Sequence, residues 1–366
     1  MATSVSSSVC DLFKSQIRRG ELKVGQKFPT IRDVAARHNL AYATAARVVD
    51  QLVSEGYIER FGRRPAVVRG VPVKSLLIGV VYGSSEANFR HPMAVKFLHA
   101  LTEAHLAHGH RIQLLPVKDH DWSNVLDFAR DLQPSSSGGL FMFGRASADK
   151  QSDLPTVALR DYGVPIVQFE VRLNDMSQIW PLLMTDFSDL GRQAINIFHQ
   201  VGRKRIGAIV GPWSKQSDPH STLAGIAAQM AELGLPWNES HLERISQWSE
   251  ANGRQAAARL LDKGDFDAIL CPDDIVALGV LKEIKSRGLR VPQDVVLIGT
   301  GDLLPPDSDV KMSTFEMQCE SLARHAVQLF ERMADGESFI GHDALVPPIY
   351  KPRKTCPAGT PSEQFA

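Results

Sequence analysis

The sequence predicts an α/β chain that opens with a small helical domain ending in a hairpin and continues into a two-lobed domain with parallel sheets. Residues 1–70 carry apolar positions at helical spacing and finish in two short β-like runs. Residues 75–351 alternate short apolar strands with amphipathic helices, and this alternation begins a second time near Leu182. The charge also changes, because residues 1–70 hold 12 Lys and Arg against 6 Asp and Glu, whereas the remainder holds 29 against 35. A basic domain on an acidic body favours nucleic-acid affinity in the first domain, with a solvated basic face as the alternative.

Three helices are predicted in the first domain. The first has an apolar stripe made of Val5, Val9, Leu12, Phe13 and Ile17, and it ends near Gly20. Thr30 caps the second helix, and Asp33 three residues later completes a capping box. The third helix runs from Ala41 or Tyr42 to Glu55, and Gly56 stops it.

The third helix has one exposed face, which carries Thr44, Arg47 and Gln51, with Tyr42 at its N-terminal end. Two β-like runs follow and bracket Gly62-Arg63-Arg64-Pro65, so we expect a two-stranded wing with arginines at its tip. Three helices and a wing in this order form a winged helix-turn-helix. The N-terminal part of the third helix in that motif meets base edges in the major groove.

Three stretches of the first domain carry a family resemblance: Gly20-Glu21-Leu22-Lys23-Val24-Gly25, Phe28-Pro29-Thr30-Ile31-Arg32-Asp33-Val34-Ala35 and Leu52-Val53-Ser54-Glu55-Gly56-Tyr57-Ile58. They resemble the GntR family of winged-helix regulators. The resemblance implies that certain residues lie near phosphates or bases, namely Thr30, Arg32, Thr44 and Arg47. It also implies that the wing arginines Arg63 and Arg64 reach a neighbouring groove.

The chain departs from the GntR pattern in two places. Ala41-Tyr42 stands where Ser-Arg is common, and Arg64-Pro65 stands where a glycine is usual. These departures affect which operator sequence is recognised. Some residues also have simpler alternative roles, since Thr30 could serve only as a helix cap, and Arg37 and Arg69 could be solvated surface charges.

The second domain is predicted to follow a short junction, Val71-Pro72-Val73-Lys74. One set of βα units runs from Ser75 to Phe169, and a second set opens at Leu182–Thr185 and closes with the strand Val295–Gly299. We expect the domain to span residues 75–351 and residues 352–366 to form a disordered tail. Parallel sheets bind ligands at the carboxyl ends of their strands, so the cleft between the lobes is the predicted pocket.

Five stretches of this domain carry a second resemblance: Ile78-Gly79-Val80-Val81, Asp186-Phe187-Ser188-Asp189-Leu190-Gly191, Val201-Gly202-Arg203-Lys204-Arg205-Ile206-Gly207, Cys271-Pro272-Asp273-Asp274-Ile275-Val276-Ala277-Leu278-Gly279 and Gly288-Leu289-Arg290-Val291-Pro292-Gln293-Asp294-Val295. They resemble the effector domain of the LacI family, which is periplasmic-binding-protein-like in fold. The resemblance implies a small-molecule effector, a sugar or sugar derivative. The pairing of a GntR-type with a LacI-type domain is similar to that of the arabinose-type repressors.

The LacI resemblance also implies positions for the effector site. Thr222 stands where sugar-binding members place an arginine, and Gly301 stands where an aspartate is frequent, with Asp302 directly after it. Asp274 matches the cleft aspartate of the family, and its alternative role is to cap the helix that begins there. Four further candidates for the cleft wall follow predicted strands, with packing or surface positions as their alternative: Phe89, Arg90, Arg145 and Trp213.

Several classes of protein are disfavoured. The four cysteines are far apart without a CxxC pair, which argues against a zinc site or a disulfide framework. The start of the chain is polar and no apolar run reaches membrane-span length, so we expect a cytoplasmic protein with no membrane partner. His105, His108 and His110 form the densest group of metal-capable side chains, but histidines are common at helix ends, and we expect no metal and no cofactor. No hydrolase, nucleotide-binding or metalloprotease motif occurs, so the chain is not expected to be an enzyme.

The predicted function is that of a ligand-responsive, DNA-binding transcriptional regulator, and more specifically of a repressor. Its expected partners are a double-stranded DNA operator, a small-molecule effector and a second copy of the chain in a homodimer. One alternative is a solute-binding protein of the same fold without a DNA function. Another is an enzyme that acts in the cleft.

Overall fold

The computed structural model describes residues 5–60, 65–69, 75–83, 91–118, 121–132, 138–143, 155–170, 179–211 and 214–357. The chain divides into two compact units, Met1–Lys74 and Ser75–Ala366. The α/β class, the N-terminal helix-turn-helix and the two-lobed domain with parallel sheets that the sequence predicts are all confirmed. Among the described helices, none combines the length and the apolar composition that crossing a bilayer requires.

The first unit packs three helices against a short antiparallel hairpin. Its elements are α1 (Val5–Arg18), α2 (Ile31–His38), α3 (Tyr42–Ser54), β1 (Ile58–Glu59) and β2 (Val67–Val68). The buried stripe of α1 runs through Cys10, Phe13 and Ile17, positions three and four residues apart that share one face. Leu12 was expected on this stripe, but it is 41% exposed because it points about 100° away from Phe13 on the helix.

The second unit contains two six-stranded sheets flanked by helices, one sheet in each lobe. Lobe 1 contains β3 (Leu77–Gly83), α4 (Pro92–Ala107), β4 (Arg111–Val117), α5 (Ser123–Asp131), β5 (Gly138–Phe143), α6 (Thr156–Asp161), β6 (Ile166–Phe169), β7 (Leu182–Thr185), α11 (Cys319–Ala334) and β13 (Asp343–Val346). Lobe 2 contains α7 (Phe187–Gln200), β8 (Ile206–Val210), α8 (Thr222–Glu232), β9 (Leu242–Arg244), α9 (Glu250–Lys263), β10 (Ala268–Leu270), α10 (Asp274–Ser286), β11 (Val296–Thr300), β12 (Ser313–Glu316) and β14 (Ile349–Lys351).

The chain passes between the lobes three times. The strand order is β13-β7-β6-β5-β3-β4 in lobe 1 and β14-β12-β11-β10-β8-β9 in lobe 2, and only the β12–β14 pair is antiparallel within these two sheets as described. The crossings follow β7, β12 and β13. Two sheets joined by several crossing segments have the connectivity of a hinged pair of lobes.

Two expectations about this domain were wrong. Leu182–Thr185 was expected to open the second set of units, but it pairs with β6 and β13 in the first sheet. The strand near Val295–Gly299 does not close the domain, because β12, α11, β13 and β14 follow it and alternate between the lobes.

Residues 352–357 are packed against lobe 2, where the sequence predicts a disordered tail. The Ser313 amide donates to Thr355 Oγ1 at 2.8 Å and the Cys356 amide donates to Ser313 Oγ at 2.8 Å. Thr355 and Cys356 are buried, so the packed domain extends past residue 351, where a tail was expected to begin. All four cysteines are free and buried.

Glycines set the distance between the helices of lobe 2. A Cβ on Gly225 in α8 would lie 1.9 Å from the carbonyl oxygen of Ser188 in α7, and a Cβ on Gly191 would lie 2.3 Å from that of Thr222. Gly253 in α9 and Gly279 in α10 form the same kind of crossing, with their added Cβ atoms 2.1 Å from Val276 O and 1.9 Å from Glu250 O. At both crossings the helix backbones therefore touch, which leaves no room for any side chain.

Candidate DNA-binding surface and effector cavity

The exposed face of α3 carries the side chains that the sequence singles out. Tyr42, the first residue of α3, is 58% exposed, Thr44 is half-buried and Arg47 is exposed. The opposite face packs into the core of the first unit through Ala45, Val48, Val49 and Leu52. One helix face is thus anchored and the other is presented to solvent, as a recognition helix requires.

The acidic side chains of the first unit are all engaged elsewhere. Five of the six form ion pairs, which are Lys14 with Asp11 and Glu55, Arg19 with Glu21, Arg60 with Asp50 and Arg69 with Glu59. The sixth, Asp33, accepts the amide and hydroxyl protons of Thr30 at 2.9 and 2.6 Å, and these bonds lower the pKa of its carboxyl. Arg32 and Arg47 are exposed, and no acidic side chain of the described residues neutralises either of them.

The remaining DNA-contact candidates have mixed outcomes. Thr30 is exposed and caps α2, and the expected capping box with Asp33 is present. Its hydroxyl donates to Asp33, so the structural role of Thr30 is established, whereas contact with DNA stays a prediction. Arg63 and Arg64 lie outside the described residues.

A cavity of about 230 Å³ lies where the strands of both lobes end. Lobe 1 contributes Glu170 directly after β6 and Met184 in β7. Lobe 2 contributes the ends of β8, β10 and β11 and the first turns of α7 and α8. The wall consists of Glu170, Met184, Phe187, Leu190, Ile209, Val210, Gly211, Ser214, Asp218, His220, Ser221, Thr222, Trp248, Leu270, Cys271, Pro272 and Thr300. The volume is below the ~300–1,000 Å³ of drug-sized pockets, so it suits a small metabolite.

The structure brings one of the described candidates to this wall. Thr222 lines the cavity as the first residue of α8. Asp274 and Asp302 are not among the described residues of this wall, and their contact with an effector stays a prediction. The Asp302 carboxylate instead accepts from Arg353 at 2.7 Å. The candidates Phe89, Arg90, Arg145 and Trp213 lie outside the described residues.

Asp274 serves the framework behind the cavity. It is fully buried, with Oδ2 accepting from the Leu303 amide and Oδ1 accepting from Thr314 Oγ1, each at 2.7 Å. Its neighbour Asp273 is the residue that caps α10, by accepting the Val276 amide at 2.6 Å. Both oxygens of Asp274 are thus occupied by protein donors, and burial raises the pKa of its carboxyl to about 7.

The pKa of Asp274 predicts a pH dependence of stability. Because folding raises this pKa from 3.8 to about 7, the folded domain holds a proton that the unfolded chain releases, and stability falls as pH rises from about 4 to about 7. Asp274→Asn should therefore reduce that slope in urea denaturation between pH 5 and 7.5. Glu170, whose pKa burial also raises to about 7, should retain part of it.

The matched control for this prediction is Asp294→Asn. The ion pair with Arg290 lowers the pKa of Asp294 to about 2, so its contribution changes only at more acidic pH. If stability changes with pH equally steeply in wild type and Asp274→Asn between pH 5 and 7.5, Asp274 is not a source of the pH dependence.

Three side chains at or near the cavity were not predicted from the sequence, namely His91, Glu170 and Trp248. His91 caps α4 in lobe 1, and its Nε2 lies 2.7 Å from Asp273 Oδ2 in lobe 2. The His91 ring also meets the Trp248 indole edge to face at 5.9 Å. Glu170 has a left-handed backbone with φ of 59° and faces the cavity. The His-Pro step before α4 marks a helix start, but no sequence signal pairs it with residues 182 positions away.

The histidine group at the end of α4 is a packing feature. His105 and His110 are buried with their Nδ1 atoms 3.0 Å apart, and burial lowers the pKa of His105 to about 3. His108 Nδ1 lies 2.9 Å from Glu331. Within the described residues, no group of three or more His, Cys, Asp or Glu is arranged to hold a metal ion.

Comparisons with known proteins agree with this architecture. Residues 5–68 match the gntR family of bacterial regulatory proteins, and residues 195–356 match the periplasmic binding protein-like domain. A transcriptional regulator of the helix-turn-helix type in the aml 5′ region of Streptomyces limosus is 26% identical over 84% of this chain and 88% of its own length. The repressor CytR of Escherichia coli is 27% identical over 52% of this chain, which spans about half of CytR.

Two solved structures share the fold. The CelR–cellobiose complex superposes with a TM-score of 0.64 at 18% identity, over 90% of this chain and all of CelR. The lac repressor dimer bound to operator and the anti-inducer ONPF superposes with a TM-score of 0.61 at 22% identity, over 85% of this chain and 98% of the repressor.

The match to gntR regulators and the names of the curated relatives favour regulation of transcription over a solute-binding protein without DNA and over an enzyme. The chain is therefore a ligand-responsive, DNA-binding transcriptional regulator, with a gntR-type domain at residues 5–68 and a periplasmic binding protein-like domain at residues 195–356.

Proposed function

We propose that the chain is a cytoplasmic, homodimeric repressor that binds a two-fold double-stranded operator and responds to a small sugar or sugar-like metabolite. Residues 1–70 form its DNA-binding domain, residues 71–74 its linker, and residues 75–351, together with the packed residues 352–357, its effector and dimerisation domain. The observation that carries the proposal is the pair of exposed, unneutralised arginines, Arg32 in α2 and Arg47 in α3, where Tyr42 and Thr44 also lie. The other domain of the same chain encloses a cavity between two lobes. A two-fold operator needs two recognition helices, hence the dimer.

The DNA contacts in this proposal come from α2, α3 and the wing. Arg47 and Thr44 face the groove from α3, and Tyr42 meets it at the helix start. Thr30 and Arg32 reach the phosphate backbone from α2, and Arg63 and Arg64 extend from the wing. A guanidinium can donate two parallel hydrogen bonds either to guanine or to phosphate, so the arginines supply most of the affinity.

The effector in this proposal binds against the cavity wall, with Thr222 among its contacts. Ligand held by both lobes favours one mutual orientation of the lobes, and this changes the spacing of the two recognition helices in the dimer. The contact of His91 in lobe 1 with Asp273 in lobe 2 supports such a coupling, because it joins the caps of α4 and α10 at the edge of the cleft. Phe89, Arg145 and Trp213 stay sequence-based candidates for the same wall.

The test is a gel-shift and anisotropy titration of the full-length protein on DNA from upstream of its own gene and the neighbouring genes. We expect preferential binding to one fragment over random duplex, a steep decline with salt, and a change of affinity when the effector is added. If low-salt titrations show equal affinity for every genomic fragment and for random duplex, with and without metabolites, the proposal must be abandoned.

A further inference from the structure

The described wall of the cavity is acidic. Glu170 and Asp218 lie on it, and no lysine or arginine does among the residues that the structure describes. His220 is also on the wall, but its Nε2 lies 3.6 Å from a carboxylate oxygen of Asp343. The wall as described therefore has more negative than positive groups, and the histidine already faces an acid.

Glu170 is the carboxyl group of this wall with the fewest protein partners. Its backbone amide donates to Leu183 O at 3.0 Å, which holds the left-handed residue at the end of β6. No described side chain forms an ion pair or a hydrogen bond with its carboxyl group. The titratable side chain that acts electrostatically on it is His91, whose Nε2 is already paired with Asp273 Oδ2 at 2.7 Å. Burial raises the pKa of Glu170 to about 7, as expected for a carboxyl group without a strong partner.

The other charged wall residue has partial support. One oxygen of Asp218 accepts the His220 amide at 3.0 Å, in the loop before α8. Trp248 is also on the wall. Its ring would lie 3.0 Å from a Cβ on Gly211, so the glycine directly after β8 leaves room for the indole. The cavity thus offers carboxylate acceptors together with an aromatic wall.

The carboxyl groups on the wall interact differently with ligands that share one shape but differ in charge. Hydroxyl groups donate to carboxylates, and an ammonium group donates with charge assistance. A carboxylate or phosphate brings no donor at neutral pH and places like charge next to Asp218 and the ionised form of Glu170. The site is partly shielded from water, so these charges interact more strongly.

We propose that this cavity selects its effector by charge. It accepts a hydroxylated ligand that is neutral or carries an amine, it rejects the carboxylated or phosphorylated form of the same ligand, and Glu170 sets the selectivity. The inference rests on the proposed function, since it concerns the effector of that same site.

The test uses sets of sugars matched in shape. Full-length protein is titrated by calorimetry and thermal shift with glucose, glucosamine, glucuronate and glucose 6-phosphate, and with the corresponding galactose and ribose compounds. In the set that binds, we expect the acid and the phosphate to bind at least about tenfold more weakly than the neutral or amino member. Glu170→Gln should narrow this ratio, and Asp218→Asn should narrow it less. Glu239→Gln removes an exposed charge of lobe 2 away from the wall and should leave the ratio unchanged.

The possible outcomes distinguish a failure of the charge selection from a failure of the proposed function. Tighter binding of an anionic member would overturn the charge selection, would point to a cation such as Arg145, and would leave the regulator proposal intact. An unchanged ratio in a folded Glu170→Gln variant would overturn the role of Glu170. If no member of any set stabilises the protein, the sugar-effector proposal fails, and the charge selection fails with it.

Discussion

Arg47→Ala is expected to weaken specific operator binding by about 5- to 150-fold, which corresponds to the ~1–3 kcal/mol of a guanidinium that contacts a base or phosphate. Arg47 lies on the exposed face of α3, and its neighbours on the other face, Val48 and Val49, are buried in the core. Removing its side chain beyond Cβ should not disturb that core. The ligand-induced increase in melting temperature should therefore stay at its wild-type value, since the effector cavity belongs to the second unit.

The matched control for Arg47→Ala is Arg19→Ala. Arg19 is 60% exposed and belongs to the same unit, but its Nε lies 2.9 Å from Glu21, so its charge is already compensated. We expect Arg19→Ala to change operator affinity by less than about fivefold, which corresponds to the about 0–1 kcal/mol of a surface ion pair. Equal losses in the two variants would mean that total charge rather than the α3 face governs binding. Loss of ligand stabilisation together with DNA binding in Arg47→Ala would contradict the independence of the two units.

The first unit was predictable because its signals are local. Each helix end is set by residues within one turn, as the capping pair Thr30 and Asp33 shows. The buried face of α3 follows from spacings of three and four residues, and the helix was predicted to within a residue at each end. The error at Leu12 has the same local origin, since two adjacent apolar residues cannot both face the core of a narrow helix.

In the second unit, local sequence signals did not predict which sheet each strand joins. A run of apolar residues predicts a strand, but it does not say which sheet the strand joins, and Leu182–Thr185 was therefore assigned to the wrong lobe. Strand pairing is decided by contacts between distant residues, such as β7 with β13, more than 150 positions later in the chain.

The cleft shows the same limit at the level of single side chains. Asp273 and Asp274 are adjacent carboxylates at a helix start, and one residue of difference in that start decides which caps the helix and which is buried beneath Leu303 and Thr314. The burial of Glu170 depends on both lobes, and so does the meeting of His91 with Asp273. No spacing in the sequence encodes these contacts, so the position of the cavity could be predicted but most of its wall could not.

Gly225→Ala is expected to destabilise the second unit by roughly 2–3 kcal/mol, the upper range for overpacking a tight contact. The added methyl group would lie 1.9 Å from the Ser188 carbonyl oxygen and 2.8 Å from its carbonyl carbon, both backbone atoms of α7 that cannot rotate away. Helices α7 and α8 would have to separate, and with them Phe187 and Thr222 on the cavity wall. Intrinsic helix propensity favours alanine over glycine by about 1 kcal/mol, so the sign of the change shows whether packing or propensity dominates.

Urea denaturation of wild type and variants measures this change, and calorimetric titration with the effector measures its effect on the cavity. The control is Gly264→Ala, at the end of α9, where the backbone is extended and the added Cβ would make an ordinary contact of 3.8 Å with Phe266. That variant should be neutral or stabilised by about 0.4–1 kcal/mol, because alanine restricts the unfolded chain. The two variants add the same methyl group. If Gly225→Ala lowers the free energy of unfolding and Gly264→Ala raises it, the loss of stability comes from the crossing of α7 and α8. Wild-type stability in Gly225→Ala would mean that these helices can move apart at little cost, and ligand affinity would then show whether Phe187 and Thr222 move with them.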